Sequence, residues 1–69
     1  METANELKEM ILEELLSLNA KYYPNLARRI DKDPNEVFTM RDRAFLVCAR
    51  TGQSLQTVLS NLDSDYYAG

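Results

Sequence analysis

Apolar side chains recur at three- and four-residue intervals along most of the chain, which is the period of an amphipathic α-helix. Four such segments are separated by short polar stretches that contain proline, glycine or asparagine. We predict no β-strand. The pattern therefore predicts an all-α single domain over residues 1–69, a compact bundle of about four short helices with a helix-turn-helix-like centre. The predicted helices cover about 4–20, 24–31, 34–51 and 54–63, and a frayed tail covers 64–69.

Helix start and stop signals support these bounds. Thr3 and Glu6 have the spacing of a capping box, in which each side chain bonds the backbone of the other. Pro24 suits the first turn of a helix, and Ser54 suits an N-cap. Gly52 can take the left-handed conformation that ends a helix.

The third helix has two candidate starts. Asp33-Pro34-Asn35-Glu36 combines a capping aspartate, a proline at the first helical position and an early glutamate. Thr39 to Asp42 offers a second cap, so the helix is either continuous from 34 or preceded by a separate turn.

The apolar positions predict a core around the third helix, with the first and fourth helices packed against it. Ala44–Ala49 is apolar all round, which predicts the buried centre of the fold. The predicted core consists of Leu7, Ile11, Leu15, Leu18, Leu26, Ile30, Val37, Met40, Ala44, Val47, Cys48, Val58, Leu59 and Leu62.

The stretch LARRIDKDPNEV resembles the helix-turn-helix of many bacterial repressors. Ala27 supplies the small residue, Asp31 stands where glycine is usual, and Val37 supplies the branched apolar residue. The resemblance covers about a dozen residues and implies a recognition helix that begins near Pro34.

A second stretch, ARTGQSLQTVLSNL, looks like the two helices of ribbon-helix-helix repressors. Cys48, Gly52 and Val58 also repeat the helix-turn-helix spacing, which simple helix packing produces equally well. The ribbon-helix-helix fold needs a preceding strand. Residues 36–40 are the available candidate, and the start signal before them predicts a helix there.

Cations of the helix-turn-helix-like segment are candidates for contacting phosphates or an acidic partner: Arg28, Arg29, Lys32, Arg41 and Arg43. Asn35 and Thr39 would face bases. Interspersed acids and a pI near 4.7 oppose this interpretation, because DNA-binding domains are usually basic. Nucleic acid is therefore the less expected partner.

Charge is unevenly distributed along the chain. Residues 1–20 carry five glutamates and one lysine, whereas residues 21–50 carry seven cations and four acids. This separation predicts a surface for an acidic partner, or for the Glu9 and Glu13 face of a second copy. Two tyrosine pairs, Tyr22-Tyr23 and Tyr66-Tyr67, are further candidates for a protein interface.

Candidate chemistry is sparse. The sequence has no histidine and one cysteine, Cys48, so we expect no internal disulfide, no metal site, no cofactor and no catalytic centre. The lone cysteine and the acidic N-terminus predict a cytoplasmic protein. The longest apolar run is six residues, so we expect no membrane partner.

The leading functional prediction is a small non-catalytic regulatory or adaptor protein that binds another protein, either as a monomer or as a homodimer. The alternative is a DNA-binding regulator that uses residues 24–43. A weaker alternative is an inhibitor whose acidic first helix imitates nucleic acid.

Overall fold

Four α-helices make up the described part of the protein. The computed structural model describes residues 3–67, and within that range the helices are α1 Ala4–Leu16, α2 Pro24–Lys32, α3 Glu36–Thr51 and α4 Leu55–Asp65. No strand occurs among these described residues. The predicted all-α class and the number of helices are confirmed.

Two helices begin at the side-chain caps that the sequence predicts. The Thr3 hydroxyl accepts a hydrogen bond from the Glu6 amide at 3.1 Å at the start of α1. The Ser54 hydroxyl accepts from the Thr57 amide at 3.2 Å at the start of α4. Each bond satisfies an amide that has no partner inside its own helix.

Helix α1 is four residues shorter than predicted, since it ends at Leu16 and not near 20. The Glu13 carbonyl accepts from both the amide and the hydroxyl of Ser17, at 3.1 Å and 2.8 Å. The Asn19 side chain accepts from the Lys21 amide at 2.9 Å. The Asn19 carbonyl then accepts from the amides three and four residues later, both at 3.0 Å. Short polar side chains that bond the nearby backbone favour such turns over helix.

The segment between α2 and α3 is a tight turn. The Asp33 carboxylate accepts from the Asn35 amide at 3.2 Å within this turn. Helix α3 begins at Glu36 and not at 34, and its N-cap, Asn35, makes no side-chain cap hydrogen bond, so the predicted aspartate cap is wrong. Helix α3 then runs through Thr39 without a break. Of the two predicted alternatives, one helix that continues through Thr39 is therefore correct, and a separate turn before a helix that starts near Thr39 is wrong.

Gly52 ends α3 as the sequence predicts. Its φ of 71° lies in the left-handed region, and its amide donates to the Cys48 carbonyl at 2.9 Å. A side chain at this position would strain the backbone, whereas glycine adopts it freely.

The start of the segment predicted as a frayed tail is helical. Ser64 and Asp65 belong to α4, which begins one residue later and ends two residues later than predicted. The Tyr66 amide bonds the Leu62 carbonyl at 3.1 Å, and the Tyr66 ring packs against the core. Burial of that ring holds the last turn in place. The remainder of the predicted tail, 68–69, lies outside the described residues.

Helix α3 is central because it contacts α1, α2 and α4, and its contact with α1 is the most extensive. This arrangement is as predicted. The buried hydrophobic core comprises Ile11, Leu15, Leu26, Val37, Met40, Ala44, Val58, Leu59 and Leu62.

Two predictions about the core are wrong. Val47 is exposed, and in Ala44–Ala49 only Ala44 is buried, because α3 has neighbours on one side and this stretch continues around its open side. Four other predicted core residues are partly buried and pack against the core: Leu7, Leu18, Ile30 and Cys48.

A buried polar contact joins α2 to α4. Helix α2 has no side-chain cap of its own. The Asp63 carboxylate, 37 residues along the chain from Leu26, accepts from the Asn25 and Leu26 amides, both at 2.9 Å. The Asn25 side-chain amide also donates to Asp63 at 3.2 Å. One residue of α4 therefore caps the start of α2.

Candidate protein-interaction surface

The predicted cations of α2 have contacts within the protein. Arg28 donates to the Asn25 side-chain oxygen at 2.7 Å. Arg29 bonds the Glu36 carboxylate at 3.2 Å. Lys32 is exposed at the last position of the helix. Arg28 and Arg29 therefore each have a side-chain partner within the protein.

The predicted cations of α3 lie on different sides of the helix. Arg41 bonds Asp42 at 3.1 Å and lies 5.5 Å from the centre of the Phe38 ring. Arg43 lies 5.8 Å from the centre of the Tyr66 ring, and its guanidinium is 3.5 Å from the Tyr66 hydroxyl. Arg29 also lies on this ring, at 5.2 Å. The structure therefore brings Arg29 and Arg43 together on Tyr66, whereas Arg41 has other partners.

The helix-turn-helix-like segment packs much as its spacing predicts. Val37 is buried, Ala27 is half-buried, and the exposed Asp31 lies near the turn. Asn35 and Thr39 are exposed at the start of α3, as a base-reading role would require. No contact in the structure bears on whether they meet DNA, so that role stays a prediction.

The two tyrosine pairs are each divided between the core and the solvent. Tyr23 and Tyr66 pack against the core, while Tyr22 and Tyr67 are exposed. Tyr22 and Tyr23 line an open groove of about 860 Å³ between the end of α1 and the start of α4. The predicted interface at the tyrosine pairs is thus reduced to one accessible ring in each pair.

Glutamates and one methionine form the solvent-facing side of α1. Glu6, Glu9 and Glu13 are exposed, and Met10, between them, is 45% exposed. Residues three and four apart are neighbours on a helix, so Met10 has Glu6 and Glu13 as neighbours on its two sides. We call these four residues the α1 outer face.

Two aliphatic side chains and two arginines form the solvent-facing side of α3. Leu46 is 58% exposed and Val47 is 39% exposed. Arg43 and Arg50, both exposed, lie within one turn of this pair on either side. We call Arg43, Leu46, Val47 and Arg50 the α3 outer face.

The α3 outer face was not predicted from the sequence. An uninterrupted apolar run such as Ala44–Ala49 predicts burial on every side of the helix. The spacing of Arg43 and Arg50 was a usable signal. Seven residues are nearly two turns, so both arginines lie on one side of α3, with Leu46 and Val47 between them. Two exposed cations on one side of a helix predict that the residues between them on that same side, Leu46 and Val47, also face solvent.

Three further features of the described residues bear on function: the reactivity of the thiol, the grouping of potential metal-binding side chains and the length of apolar helices. Burial raises the pKa of the Cys48 thiol, which lowers the fraction present as the nucleophilic thiolate. Within residues 3–67, no group of three acidic or cysteine side chains could hold a metal ion. No helix in the same range is long and apolar enough to cross a membrane.

Comparison of the chain with protein-family models, with curated proteins and with solved structures finds no match. The geometry and charge of the α1 outer face and the α3 outer face therefore carry the functional proposal.

Proposed function

We propose that this protein is a small non-catalytic regulatory or adaptor protein that binds another protein through the α3 outer face. The observation that carries the proposal is the exposure of Leu46 and Val47 on the central helix of the fold. Burying such side chains against a partner is favourable, by roughly 25 cal/mol for each Å² of apolar surface removed from water.

The composition of the α3 outer face fits a protein partner. Protein interfaces combine an apolar centre with a polar rim, and arginine is enriched in them. Here Leu46 and Val47 form the centre, and Arg43 and Arg50 form the rim. The complementary surface has an apolar centre bordered by carboxylates.

The central helix is a suitable support for an interface. Val37, Met40 and Ala44 anchor α3 in the core, and all three are at most 3% exposed. A face on a helix fixed in this way loses little conformational freedom on binding, which favours affinity.

The chemistry of the chain supports a non-catalytic role. The sequence offers no histidine as a general base, and Cys48 is held in its less reactive thiol form. Cytoplasmic location, expected from the lone cysteine, is part of the same proposal.

DNA binding through α2 and α3 is the second candidate function, and the exposure of Asn35 and Thr39 favours it. Its weakness is electrostatic, because the exposed Asp31, Asp33 and Asp42 lie among the cations of α2 and α3 and would repel phosphates. Titration of the isotope-labelled protein with random-sequence duplex DNA at low salt separates the two functions. The protein-binding proposal predicts no NMR shifts centred on residues 28–43.

Affinity purification from the native extract tests the leading proposal. We expect the tagged protein to retain a partner, and Leu46→Asp to reduce its retention about tenfold or more, which corresponds to about 1.4 kcal/mol of binding free energy. Phe38→Asp is the matched control, because Phe38 is 48% exposed on the same helix and lies outside the α3 outer face. Equal retention by all three proteins, or none by any, would count against the proposal.

A further inference from the structure

We infer that the α3 outer face of one copy of the protein receives the α1 outer face of a second copy. This inference rests on the proposed function, because it names a partner for the same α3 outer face. The two faces differ in charge and share an apolar centre, and both belong to this chain.

The apolar centres of the two faces can pack against each other. Met10 projects between glutamates on α1, with 45% of its surface exposed. Leu46 and Val47 form a broader apolar site on α3. Methionine is unbranched and flexible, so its side chain can fill the space beside two branched aliphatic residues.

The charges of the two faces match in spacing. Glu6 and Glu13 are seven residues apart and bracket Met10, while Arg43 and Arg50 are seven residues apart and bracket Leu46 and Val47. Each pair therefore spans about 10.5 Å along its helix axis. Placing Met10 against the aliphatic pair of another copy brings both glutamates beside arginines.

The same two faces cannot meet within one chain. Glu9 precedes the buried Ile11 by two residues, and Leu46 follows the buried Ala44 by two. Two residues rotate a helix position by about 160° away from the reference residue. Since α1 and α3 pack on each other through their buried sides, Glu9 and Leu46 point away from one another.

Contact between copies is therefore head-to-tail. One copy uses its α1 outer face and the other its α3 outer face, so each complex keeps one free face of each kind. Such heterologous contacts extend with concentration, unless a rotation closes them into a ring. The molecule would assemble reversibly beyond a dimer.

Sedimentation velocity from micromolar to millimolar concentration tests this arrangement. We expect the average mass of the natural protein to rise above its 7.9 kDa. We expect the rise to shrink when salt goes from 0.1 M to 1 M, because the screening length falls from about 10 Å to about 3 Å. A mass that stays at the monomer value throughout would overturn the inference.

Variants that disable one face at a time identify the contact. Glu6→Lys/Glu13→Lys reverses the α1 outer face, and Leu46→Asp disrupts the α3 outer face; each variant alone should sediment as a monomer. Asp31→Lys/Asp65→Lys is the control for the first variant, because it changes the net charge equally on exposed acids outside both faces. Phe38→Asp is the control for the second, because Phe38 is exposed on the same helix outside the α3 outer face. Both controls should assemble like the natural protein.

Mixing the two disabled variants is the decisive step. The first variant keeps an intact α3 outer face and the second keeps an intact α1 outer face. The mixture should therefore form a 1:1 complex that grows no further. If the mixture stays monomeric while circular dichroism shows both variants folded, the inference is wrong.

These outcomes separate the inference from the proposed function. A strictly monomeric protein whose retention of a different partner depends on Leu46 would overturn self-association and leave the adaptor function standing. An assembling protein whose mass is unaffected by Leu46→Asp would overturn the assigned contact.

Discussion

Asp63 is the residue on which the joining of α2 and α4 most depends. Its carboxylate accepts three hydrogen bonds from Asn25 and Leu26, and its carbonyl accepts a fourth from the Asn25 side chain at 3.2 Å. Both Asp63 and Asn25 are only 9% exposed. Buried donors that lose their acceptor are costly, because water cannot replace it.

Replacing Asp63 with alanine should therefore lower the free energy of unfolding by about 3 kcal/mol, because it removes a helix cap and leaves buried donors without partners. Urea denaturation followed by circular dichroism measures the change. Asp65→Ala is the control, since Asp65 is exposed two residues later; it should change stability by less than about 0.5 kcal/mol. Equal effects of the two substitutions would contradict the capping role.

Cys48 gives a prediction for pH dependence. Burial raises the pKa of its thiol in the folded protein, so the thiolate appears at higher pH than in the unfolded chain. The rate of alkylation by iodoacetamide should therefore rise at higher pH for the folded protein than for the protein in urea. Coincident pH profiles, or a folded profile displaced to lower pH, would contradict this assignment.

At the scale of the elements, sequence signals located starts better than ends. Caps at Thr3 and Ser54 were predictable because each lies three residues before the amide it bonds. The end of α1 was mispredicted because the apolar period continues to Leu18, while the Asn19 side chain accepts from the Lys21 amide and turns the backbone. A local bond of this kind is not visible in the apolar period.

Gly52 gives a prediction about the junction of α3 and α4. Its positive φ disfavours any residue with a Cβ, although a Cβ built there meets no atom within 4 Å. Gly52→Ala should therefore lower the free energy of unfolding by about 1 kcal/mol through backbone strain alone. Gly52→Asn should cost less, because asparagine tolerates the left-handed conformation. An alanine variant as stable as the natural protein would contradict the assigned turn.

At the scale of the whole molecule, α3 has both the central core position and a solvent-facing side. The all-α class, the number of helices and the central place of α3 follow from helical period and turn residues. The capping of Asn25 by Asp63 and the exposure of Val47 do not follow from them. Both depend on how helices distant in sequence pack together, which the period of one helix does not determine.

Because α3 has a buried side and a solvent-facing side, replacing a residue with alanine should lower the free energy of unfolding more on the buried side. Met40 is fully buried, so Met40→Ala should lower the free energy of unfolding by about 3 kcal/mol. Val47→Ala should lower it by less than about 1 kcal/mol, since Val47 is already in contact with solvent. Urea denaturation measures both. Similar losses would mean that Val47 is a core residue and that the α3 outer face does not exist.

Binding of a protein at the α3 outer face is best tested by site-specific photo-crosslinking. A photoreactive amino acid in place of Leu46 is activated in the native extract, and the same group in place of Phe38, which is exposed outside the α3 outer face, serves as the control. We expect a covalent adduct with a protein, either a second copy or a different chain, from position 46 and none from position 38. No adduct from position 46, or the same adduct from both positions, would contradict binding at this face.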